Sequence, residues 1–454
     1  MDVYGSLFRS VLFPAWETHV RRRPVLAHMR HLEHTQWWSL DQLHDYQATA
    51  LRRLVEHAYH HVPWYRARMD MLDVIPSDIR RPEDLVRIPV ARRPDLRGPD
   101  RDRMSTVAPF PTIRKQTSGT TGEPLLFGFE PESEHWKRAV RYRGYAWAGY
   151  EPGDRVLHFW GAALPTPPPW YTRAKMALDR RMHREHYVPC AVMTEEHLDA
   201  VATRIATLRP KVLVCYAQAG GELARHVLRK GLRRWDSLPV ICGAERVTAR
   251  DRADLEAAFG PVFDVYGCRE VMMIAGECEA HAGLHIAMEN LIVEIVVYEG
   301  GQERPAREGE TGEVVLTDLH NLGMPFVRYA NGDVATAGPS GRCACGRALP
   351  RLAAVQGRMS ETLRDGNGAA VSGIALSYAF YDVSAAVRQF QVVQHRDRSV
   401  TIRVVPLDEL PAQMLAKIRT NATRLLSGVD VRVELVKDLP RSSAGKHKLV
   451  VVEQ

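Results

Sequence analysis

The sequence predicts an α/β protein of two domains, a large N-terminal one built on a parallel sheet and a small α+β one at the C-terminus. Three short apolar segments predict the sheet: "RVLHFWGAAL" (155–164), "PKVLVCYA" (210–217) and "LPVICGAE" (238–245). Helical sequence separates the last two, and this β-α-β alternation is typical of parallel sheets. At 454 residues, the chain is also too long for one simple core, so we expect two or more domains.

The first half of the chain begins with helices. Residues 40–71 repeat apolar residues at helical spacing and Pro63 interrupts them, which predicts helix, turn, helix. An arginine- and proline-rich connector follows, and "PTPPPWY" (165–171) predicts an extended loop after the first apolar strand. "PVFDVYG" (261–267) adds a further strand.

The pattern changes after Gly283, where "LHIAMENLIVEIVVYEGG" and "GEVVLTDL" predict a small, mostly β lobe. Beyond residue 358, a tail of ~95 residues suits a small α+β domain. We therefore predict a large domain over 1–358, with a helical entry region over 1–110, and a small domain over 359–454.

Composition is that of an ordinary soluble protein, with 45% hydrophobic and 25% charged residues. The formal charge of +7 comes mainly from dispersed arginines. A nucleic-acid face stays open, but solvated helix surface is favoured, and the charge could attract nucleotides. We therefore expect no nucleic-acid partner, and a homodimer remains open.

No stretch approaches the length of a membrane-spanning helix. Arg9 and Pro14 break the apolar start of the chain, which favours a packed helix over a signal peptide or anchor. Seven cysteines, an odd number, indicate a reducing compartment, and we expect a cytoplasmic protein.

Hydroxyls and glycines crowd into the stretch "KQTSGTTGEPLLF" (115–127). Glycines let backbone N–H groups approach oxygen atoms closely, and hydroxyls add further donors, so the run could cradle phosphates. A plain loop explains it equally well when it is taken alone. The P-loop of nucleotide triphosphatases is excluded because no Gly-Lys-Ser/Thr ending follows.

Further motifs follow in a fixed order: "CGAERV" (242–247), "DVYGCREV" (264–271), "MPFVRYANGDVA" (324–335), "QGRMSE" (356–361) and "LPRSSAGKHK" (439–448). Together with the hydroxyl-rich run, this set resembles the adenylate-forming superfamily of acyl-CoA synthetases, peptide-synthetase adenylation domains and luciferases. More narrowly, it is similar to the phenylacetate–CoA ligases and their relatives in capsule biosynthesis and coenzyme F390 synthesis. Segments such as "EDLVRIPV" and "ECEAHAGLHI" are also typical of that branch. The resemblance therefore covers roughly residues 40–450.

The resemblance implies an ATP site. The β- and γ-phosphates would be bound by Thr117, Ser118, Gly119, Thr120, Thr121 and Gly122. The adenine and its surroundings would involve Gly243, Ala244, Glu245, Tyr266 and Gly267. Asp333 would hold the ribose hydroxyls, with Arg328 and Arg358 as further contacts to ribose or phosphate.

The resemblance also implies the catalytic groups. Glu270 would help to hold Mg²⁺, Thr117 would contact phosphate, and Lys446 would reach the α-phosphate and the attacking carboxylate. A domain rotation would turn on a hinge near Ser360, where family members usually carry an acid.

Cysteines and histidines also recur downstream, at Cys278, His281, His285, Cys343 and Cys345. Thiolate and imidazole ligands favour Zn²⁺, and four of them make a closed structural site. We predict Cys278, His285, Cys343 and Cys345, with His281 as the substitute. Some relatives of this branch carry a zinc near these positions; reduced thiols at a β turn are the alternative.

The resemblance implies ATP-dependent, AMP-forming activation of a carboxylic acid, with transfer by default to CoA as a thioester. Aromatic side chains near the predicted strand ends would suit an aryl acid, in a pocket lined by His158, Trp160, Tyr216 and Gln218, although all four could be core residues. Arg269, Glu123 and "RDGNGAAVSG" (364–373) depart from the family pattern. An amine, a hydroxyl or a carrier-protein thiol could therefore accept the acyl group instead, and a non-catalytic nucleotide-binding scaffold is the alternative of another class.

Overall fold

The computed structural model describes residues 2–96, 99–116, 125–161, 169–190, 193–358, 362–366, 370–372, 379–380, 383, 386–407, 409–439 and 450–453. It divides into two compact units. The first comprises Met1–Asn331 with Ala335–Val355, and the second comprises Gly332–Val334 with Gln356–Gln454. The boundary expected between residues 358 and 359 stays a prediction.

Helices dominate the start of the chain and flank the central strands. The α-helices are α1 (Val3–Leu7), α2 (Phe13–Ala15), α3 (Val25–Thr35), α4 (Leu40–His61), α5 (Pro63–Asp70), α6 (Asp100–Arg103), α7 (Pro131–Ala146), α8 (Trp170–His183), α9 (Glu195–Leu208), α10 (Ala217–Lys230), α11 (Ala249–Ala258) and α12 (Ala412–Leu425). Short π-helical segments cover Phe8–Leu12 and Trp16–Val20, and 3₁₀ turns cover Pro76–Asp78, Pro82–Arg87 and Arg93–Leu96.

The strands are β1 (Ile113–Gln116), β2 (Leu126–Phe129), β3 (Val156–Phe159), β4 (Glu185–Val188), β5 (Val212–Tyr216), β6 (Val240–Gly243), β7 (Val262–Cys268), β8 (Met272–Glu277), β9 (Leu284–Ile286), β10 (Leu291–Glu299), β11 (Gln302–Pro305), β12 (Thr311–Asp318), β13 (Tyr329–Ala337), β14 (Arg351–Arg358), β15 (Thr362–Arg364), β16 (Ala370–Ser372), β17 (Val387–Gln394), β18 (Val400–Pro406), β19 (Val431–Leu435) and β20 (Val450–Val452).

The helix–turn–helix prediction is confirmed by α4 and α5. Ser39 begins α4 with a capping box, because its hydroxyl accepts from the Gln42 N–H at 3.3 Å and the Gln42 side chain accepts from the Ser39 N–H at 2.9 Å. Pro63 occupies the first position of α5, where a missing N–H costs nothing.

A twelve-stranded sheet forms the centre of the fold, in the order β11-β10-β12-β13-β14-β9-β8-β7-β6-β5-β3-β4. Strands β4, β3, β5, β6 and β7 pair in parallel, as predicted. From β7 to β8 the pairing turns antiparallel, and β10 pairs antiparallel with both β11 and β12, so the predicted β lobe continues the same sheet.

Apolar residues cover both faces of the parallel strands. One cluster joins Leu213 and Val240 to α9 and α10 through Val201 and Leu223, and a second joins Val156 and other strand residues to the N-terminal helices. Strands β3, β5 and β6 are therefore buried on both sides, which explains their nearly continuous apolar sequence.

The second unit contains a four-stranded sheet in the order β19-β18-β17-β20 and helix α12. Its apolar core includes Val392, Ile402 and, from the helix, Ile418. The α+β prediction for this tail is confirmed.

The predicted loop over 165–171 is wrong at its end, because α8 begins at Trp170; residues 165–168 lie outside the described residues. Pro169 precedes the helix in an extended conformation, and its fixed φ allows a helix to start directly after it. Among the described helices, none is both long and apolar enough to cross a membrane.

Candidate functional site

The carboxyl ends of the parallel strands form one edge of the sheet. Tyr216, the last residue of β5, lies opposite Gly243, the last residue of β6. Phe159, the last residue of β3, lies opposite Cys215. Ligands of open α/β sheets bind outside this edge, so the residues that follow these strands define the candidate site.

The end of β6 is strained. Ala244 has a φ of 65°, a left-handed conformation that costs a residue with a Cβ free energy and that often marks functional sites. The Glu245 carboxylate then accepts from the Gln218 backbone N–H at 3.2 Å, which caps the N-terminus of α10. Gly243, Ala244 and Glu245, which were predicted to border the adenine, thus lie at the sheet edge. The hydrogen bond of Glu245 connects this segment to α10.

Tyr266 and Gly267 lie near the carboxyl end of β7, and Glu270 lies in the turn between β7 and β8. A Cβ added to Gly267 would meet the carbonyl oxygen of Met272, so this tight turn requires glycine. Met272, with a φ of 65°, is a second strained residue here.

Glu270 is nearly buried, with 2% of its surface exposed. Its Oε1 accepts from the Tyr329 hydroxyl at 2.9 Å and, more weakly, from Arg93 Nη2 at 3.5 Å. Burial raises the pKa of Tyr329, and the neighbouring Glu270 carboxylate raises it further. The hydroxyl therefore keeps its proton and donates a hydrogen bond to Glu270. Within the part of the chain that the structure describes, Glu270 Oε2 makes no hydrogen bond.

Strand β13 carries Asp333, the residue predicted to hold the ribose hydroxyls. Asn331 Nδ2 donates to the Tyr266 hydroxyl at 2.9 Å, and both side chains are buried. Asp333 follows two residues later on β13 and is 9% exposed. Tyr266 is therefore fixed by the same strand that carries Asp333.

Arg328 stands apart from the predicted nucleotide contacts. Its guanidinium is 2% exposed and donates to Glu294 at 2.9 Å and Glu303 at 2.6 Å, and also to the Ile88 carbonyl at 2.7 Å. Protein groups therefore engage all three nitrogens, since Nε also donates to Glu294. This placement favours a structural role for Arg328, and its contact with ribose or phosphate stays an untested prediction.

The four predicted pocket residues divide between two environments. Trp160 and Tyr216 lie in contact, with ring centroids 4.2 Å apart, next to Gly243, where an added Cβ would lie 3.5 Å from the Trp160 ring. Gln218 is the second residue of α10, two residues after Tyr216. His158 instead stacks on Tyr187 at 4.3 Å, and burial lowers its pKa to about 4.

Arg269, one of the departures from the family pattern, is exposed in the turn between β7 and β8. Lys115, at the end of β1, lies with its Nζ 4.8 Å from the centre of the Phe129 ring. Burial lowers the pKa of Lys115, Glu134 opposes this shift, and the charges of Lys137 and Arg269 add to it. Positive charge therefore gathers around the end of β1.

Several predicted residues lie outside the described residues: Thr117, Ser118, Gly119, Thr120, Thr121, Gly122, Ser360 and Lys446. The strands flanking the hydroxyl-rich run pair antiparallel, with Gln116 opposite Leu126. Arg358 ends β14, and only its backbone belongs to the described part.

A second cluster gathers Cys278, His285, Cys343 and Cys345, whose ligand atoms all lie within 4.8 Å of one another. The Sγ atoms of Cys278 and Cys343 are 3.9 Å apart, and Cys345 Sγ lies 3.4 Å from His285 Nε2. A tetrahedral zinc site with Zn–S bonds of about 2.3 Å has edges of about 3.7 Å. These distances therefore fit a four-ligand zinc centre.

Hydrogen bonding prepares His285 as a ligand. Its Nδ1 lies 2.9 Å from the Leu349 carbonyl, which requires the proton on Nδ1 and leaves Nε2 toward the thiols. Burial lowers the pKa of His285 to about 4 and raises that of Cys278 to about 12. His281, the substitute ligand, instead faces Glu277, with Nδ1 and Oε2 3.7 Å apart.

Three residues of the site were missed by sequence reasoning. Tyr329 and Asn331 lie on β13 inside the motif "RYANGD", so the polar side chains of that motif were the available signal. Arg93, one of many arginines in the connector, carried no signal that set it apart from its neighbours.

Comparison with known proteins gives three consistent results. The sequence profile of the CapK C-terminal domain matches residues 363–453. The phenylacetate-coenzyme A ligase of Aromatoleum evansii is 30% identical over 342 residues, covering 73% of this chain and 74% of that ligase. The corresponding ligase of Thermus thermophilus is 29% identical over 365 residues, covering 79% of each chain.

Among solved structures, 2-hydroxyisobutyryl-CoA ligase in its postadenylation state, in complex with R3-HIB-AMP, aligns with a TM-score of 0.73 at 20% identity, covering 92% of this chain and 91% of that one. At this identity the likeness shows a shared fold. With the identity and coverage found for the Aromatoleum evansii ligase, the chain belongs to the phenylacetate–coenzyme A ligase family of adenylate-forming enzymes.

Proposed function

We propose that the protein is an ATP-dependent, AMP-forming ligase that joins a carboxylic acid to coenzyme A. The observation that carries this proposal is the family membership, since the similar proteins are named phenylacetate-coenzyme A ligases. The solved structure of similar fold is named for an adenylate complex. The described part of the site supports the proposal, because it offers an aromatic ring at Tyr266, carboxylates at Glu270 and Asp333, and positive charge at Lys115 and Arg269.

The reaction has two steps. A carboxylate oxygen attacks the α-phosphorus of ATP, the bond to the β-phosphate oxygen breaks, and pyrophosphate leaves. The thiol of coenzyme A then attacks the acyl carbon of the mixed anhydride, and a thioester, AMP and a proton are released. Dividing the reaction makes a poor electrophile reactive, and a closed site keeps water from the anhydride.

The residues at the sheet edge have separate roles in this proposal. Tyr266, held by Asn331, presents its ring to the adenine. Asp333 accepts hydrogen bonds from the ribose hydroxyls, because a carboxylate can accept from two O–H donors. Arg269 and the half-buried Lys115 supply positive charge for the acid's carboxylate and the phosphates.

Magnesium fits one position of this site. Glu270 is held by Tyr329 through Oε1, which leaves Oε2 for a cation, and Mg²⁺ is commonly bound by one carboxylate together with substrate phosphates. When bound there, Mg²⁺ would neutralise the charge that develops on the phosphate oxygens. The Tyr329 hydroxyl fixes the orientation of the Glu270 carboxylate.

Zinc belongs to the cysteine–histidine cluster in this proposal. Four donors of three thiols and one imidazole leave no position for substrate, so the site is structural. It links the end of β8, strand β9 and the loop between β13 and β14, because Cys278, His285 and the Cys343–Cys345 pair lie on these segments.

Pyrophosphate release tests the activity. The full chain is incubated with ATP, Mg²⁺ and coenzyme A and a panel of aromatic and aliphatic acids, phenylacetate included. We expect acid-dependent release and a thioester product. Asp333→Ala should lower kcat/KM for ATP at least about tenfold, because it removes hydrogen bonds to a charged acceptor, whereas Asp397→Ala, which removes only a local contact with Ser399, should keep wild-type activity.

Other outcomes contradict the proposal in different ways. ATP binding without pyrophosphate release from any acid would indicate a non-catalytic scaffold. Acid-dependent release without a thioester, but with transfer to an amine, a hydroxyl or a carrier-protein thiol, would replace coenzyme A as the acceptor.

Metal analysis tests the zinc centre. Purified wild-type protein should contain about one zinc per chain, and Cys343→Ser should lose most of it because three ligands bind zinc far more weakly than four. Cys190→Ser is the matched control, since Cys190 is a buried thiol bonded to the Gly161 carbonyl. Equal zinc in the wild type and in Cys343→Ser would contradict the site.

A further inference from the structure

Helix α8 turns an apolar face away from the protein. Trp170 is 79% exposed, Tyr171 62% and Leu178 63%. Trp170, Ala174 and Leu178 are spaced four residues apart, and Tyr171 precedes Leu178 by seven. Side chains at these spacings lie on one side of a helix, so the exposed apolar residues form a continuous stripe, the outer face of α8.

The opposite side of α8 packs on the protein with its polar residues. Thr172, Asp179 and His183 follow at spacings of seven and four, and all three are less exposed than the outer face. His183 contacts the Phe8 ring at 5.2 Å, and Asp179 pairs with Arg21 at 3.4 Å.

This arrangement is the inverse of a surface helix in a globular protein, which turns its apolar stripe to the core. Fourteen residues are also marginal for an isolated helix in water, because most helical stability comes from packing of the apolar face. The outer face of α8 therefore has the character of a surface that a partner covers.

Charge identifies the chemistry of that partner. The helix carries Arg173, Lys175, Arg180 and Arg181 against Asp179, four positive charges minus one negative, or a net +3. A second copy that presented the same helix would bring like charges together. The whole chain, at +7, adds to the attraction for an acidic surface.

Amphipathic helices with tryptophan and leucine on one side and basic residues beside them lie in the interface of anionic bilayers. Tryptophan and tyrosine prefer that interface because one part of each ring system is apolar and another is polar. We propose that the outer face of α8 docks the protein on an anionic lipid surface. Helix α8 belongs to the first unit, and docking there does not depend on the proposed ligase activity.

Vesicle flotation with the full chain tests the proposal. One set of vesicles contains equal parts of phosphatidylglycerol and phosphatidylcholine, and the other contains phosphatidylcholine alone. We expect partition into the anionic vesicles, and added salt should reduce it because it screens the attraction. Leu178→Asp and the double variant Arg173→Glu/Lys175→Glu should each weaken partition at least about tenfold.

Met71→Asp is the matched control, because Met71 is an 87% exposed apolar residue that follows α5 and does not belong to α8, and it should partition as the wild type does. Circular dichroism and thermal unfolding of each variant confirm that it folds. Equal partition into both vesicle types, or none into either, would overturn the proposal. A dimer in sedimentation velocity that Leu178→Asp dissociates, without vesicle binding, would assign the face to a second copy instead.

Discussion

Tyr329→Phe tests whether the buried hydrogen bond to Glu270 holds the candidate site. The substitution removes one hydroxyl and leaves a ring of the same size, fully buried and 4.7 Å from Phe326. The lost bond is 2.9 Å long and its acceptor is a carboxylate with 2% exposure. Hydrogen bonds to charged groups contribute about 1.5–3 kcal/mol, and Arg93, at 3.5 Å, compensates only weakly. We expect the free energy of unfolding of the first unit to fall by about 2 kcal/mol.

Urea unfolding followed by tryptophan fluorescence measures this loss. All nine tryptophans precede residue 236, so the signal comes from the first unit. Tyr142→Phe is the matched control, because Tyr142 is also buried and its hydroxyl makes no hydrogen bond among the described residues; it should change stability by less than about 0.5 kcal/mol. We also expect KM for MgATP to rise in Tyr329→Phe, because the Glu270 carboxylate loses its fixed orientation. Equal stability and equal KM in Tyr329→Phe and the wild type would show that this hydrogen bond does not hold the Glu270 carboxylate.

Two further predictions separate structural from catalytic roles. Arg328→Met should destabilise the first unit by about 3–5 kcal/mol, because it leaves Glu294 and Glu303 without their shared cation. Arg304→Met, at an exposed ion pair, is the control and should cost much less. A rise in KM for ATP with unchanged stability in Arg328→Met would instead support a nucleotide contact. Burial gives His158 a pKa of about 4 in the folded state, below its unfolded value near 6.5. The contribution of the neutral imidazole to the free energy of unfolding is therefore complete above pH 6.5 and is lost as the pH falls toward 4. His158→Phe should flatten the fall in unfolding free energy between these two pH values by up to about 3 kcal/mol, and an unchanged pH profile would contradict the burial of a neutral imidazole.

Much of the parallel sheet could be predicted because three of its strands, β3, β5 and β6, are buried on both faces. Apolar runs such as 210–217 and 238–245 have one dominant explanation when a helical segment lies between them. The β lobe was predicted as a separate lobe, yet β8 continues the same sheet in antiparallel pairing. Sequence pattern gives the type of a strand more readily than its neighbours, since pairing depends on contacts between distant residues.

The candidate site shows the same limit at the level of side chains. The four predicted zinc ligands come together. They could be predicted because two thiols in the short "CACG" segment, Cys343 and Cys345, have few roles other than metal binding. In the sequence, Arg328 belongs to a nucleotide-binding motif and His158 to the predicted pocket. In the structure, Arg328 instead forms an ion pair with Glu294, and His158 stacks on Tyr187. Arg93 reaches Glu270 from 177 residues away along the chain, and no local pattern indicates such a contact.

Local periodicity and short runs of residues were enough to predict the fold class, the family and the order of the motifs. The folded chain was needed to see that Tyr329 donates to Glu270, that Asn331 donates to Tyr266, and that α8 directs its apolar residues outward. Each of these features depends on residues that are distant in the sequence and that exclude water from one another in the fold. The free energy of a buried hydrogen bond or of an exposed ring is therefore set by its surroundings and not by the residue type.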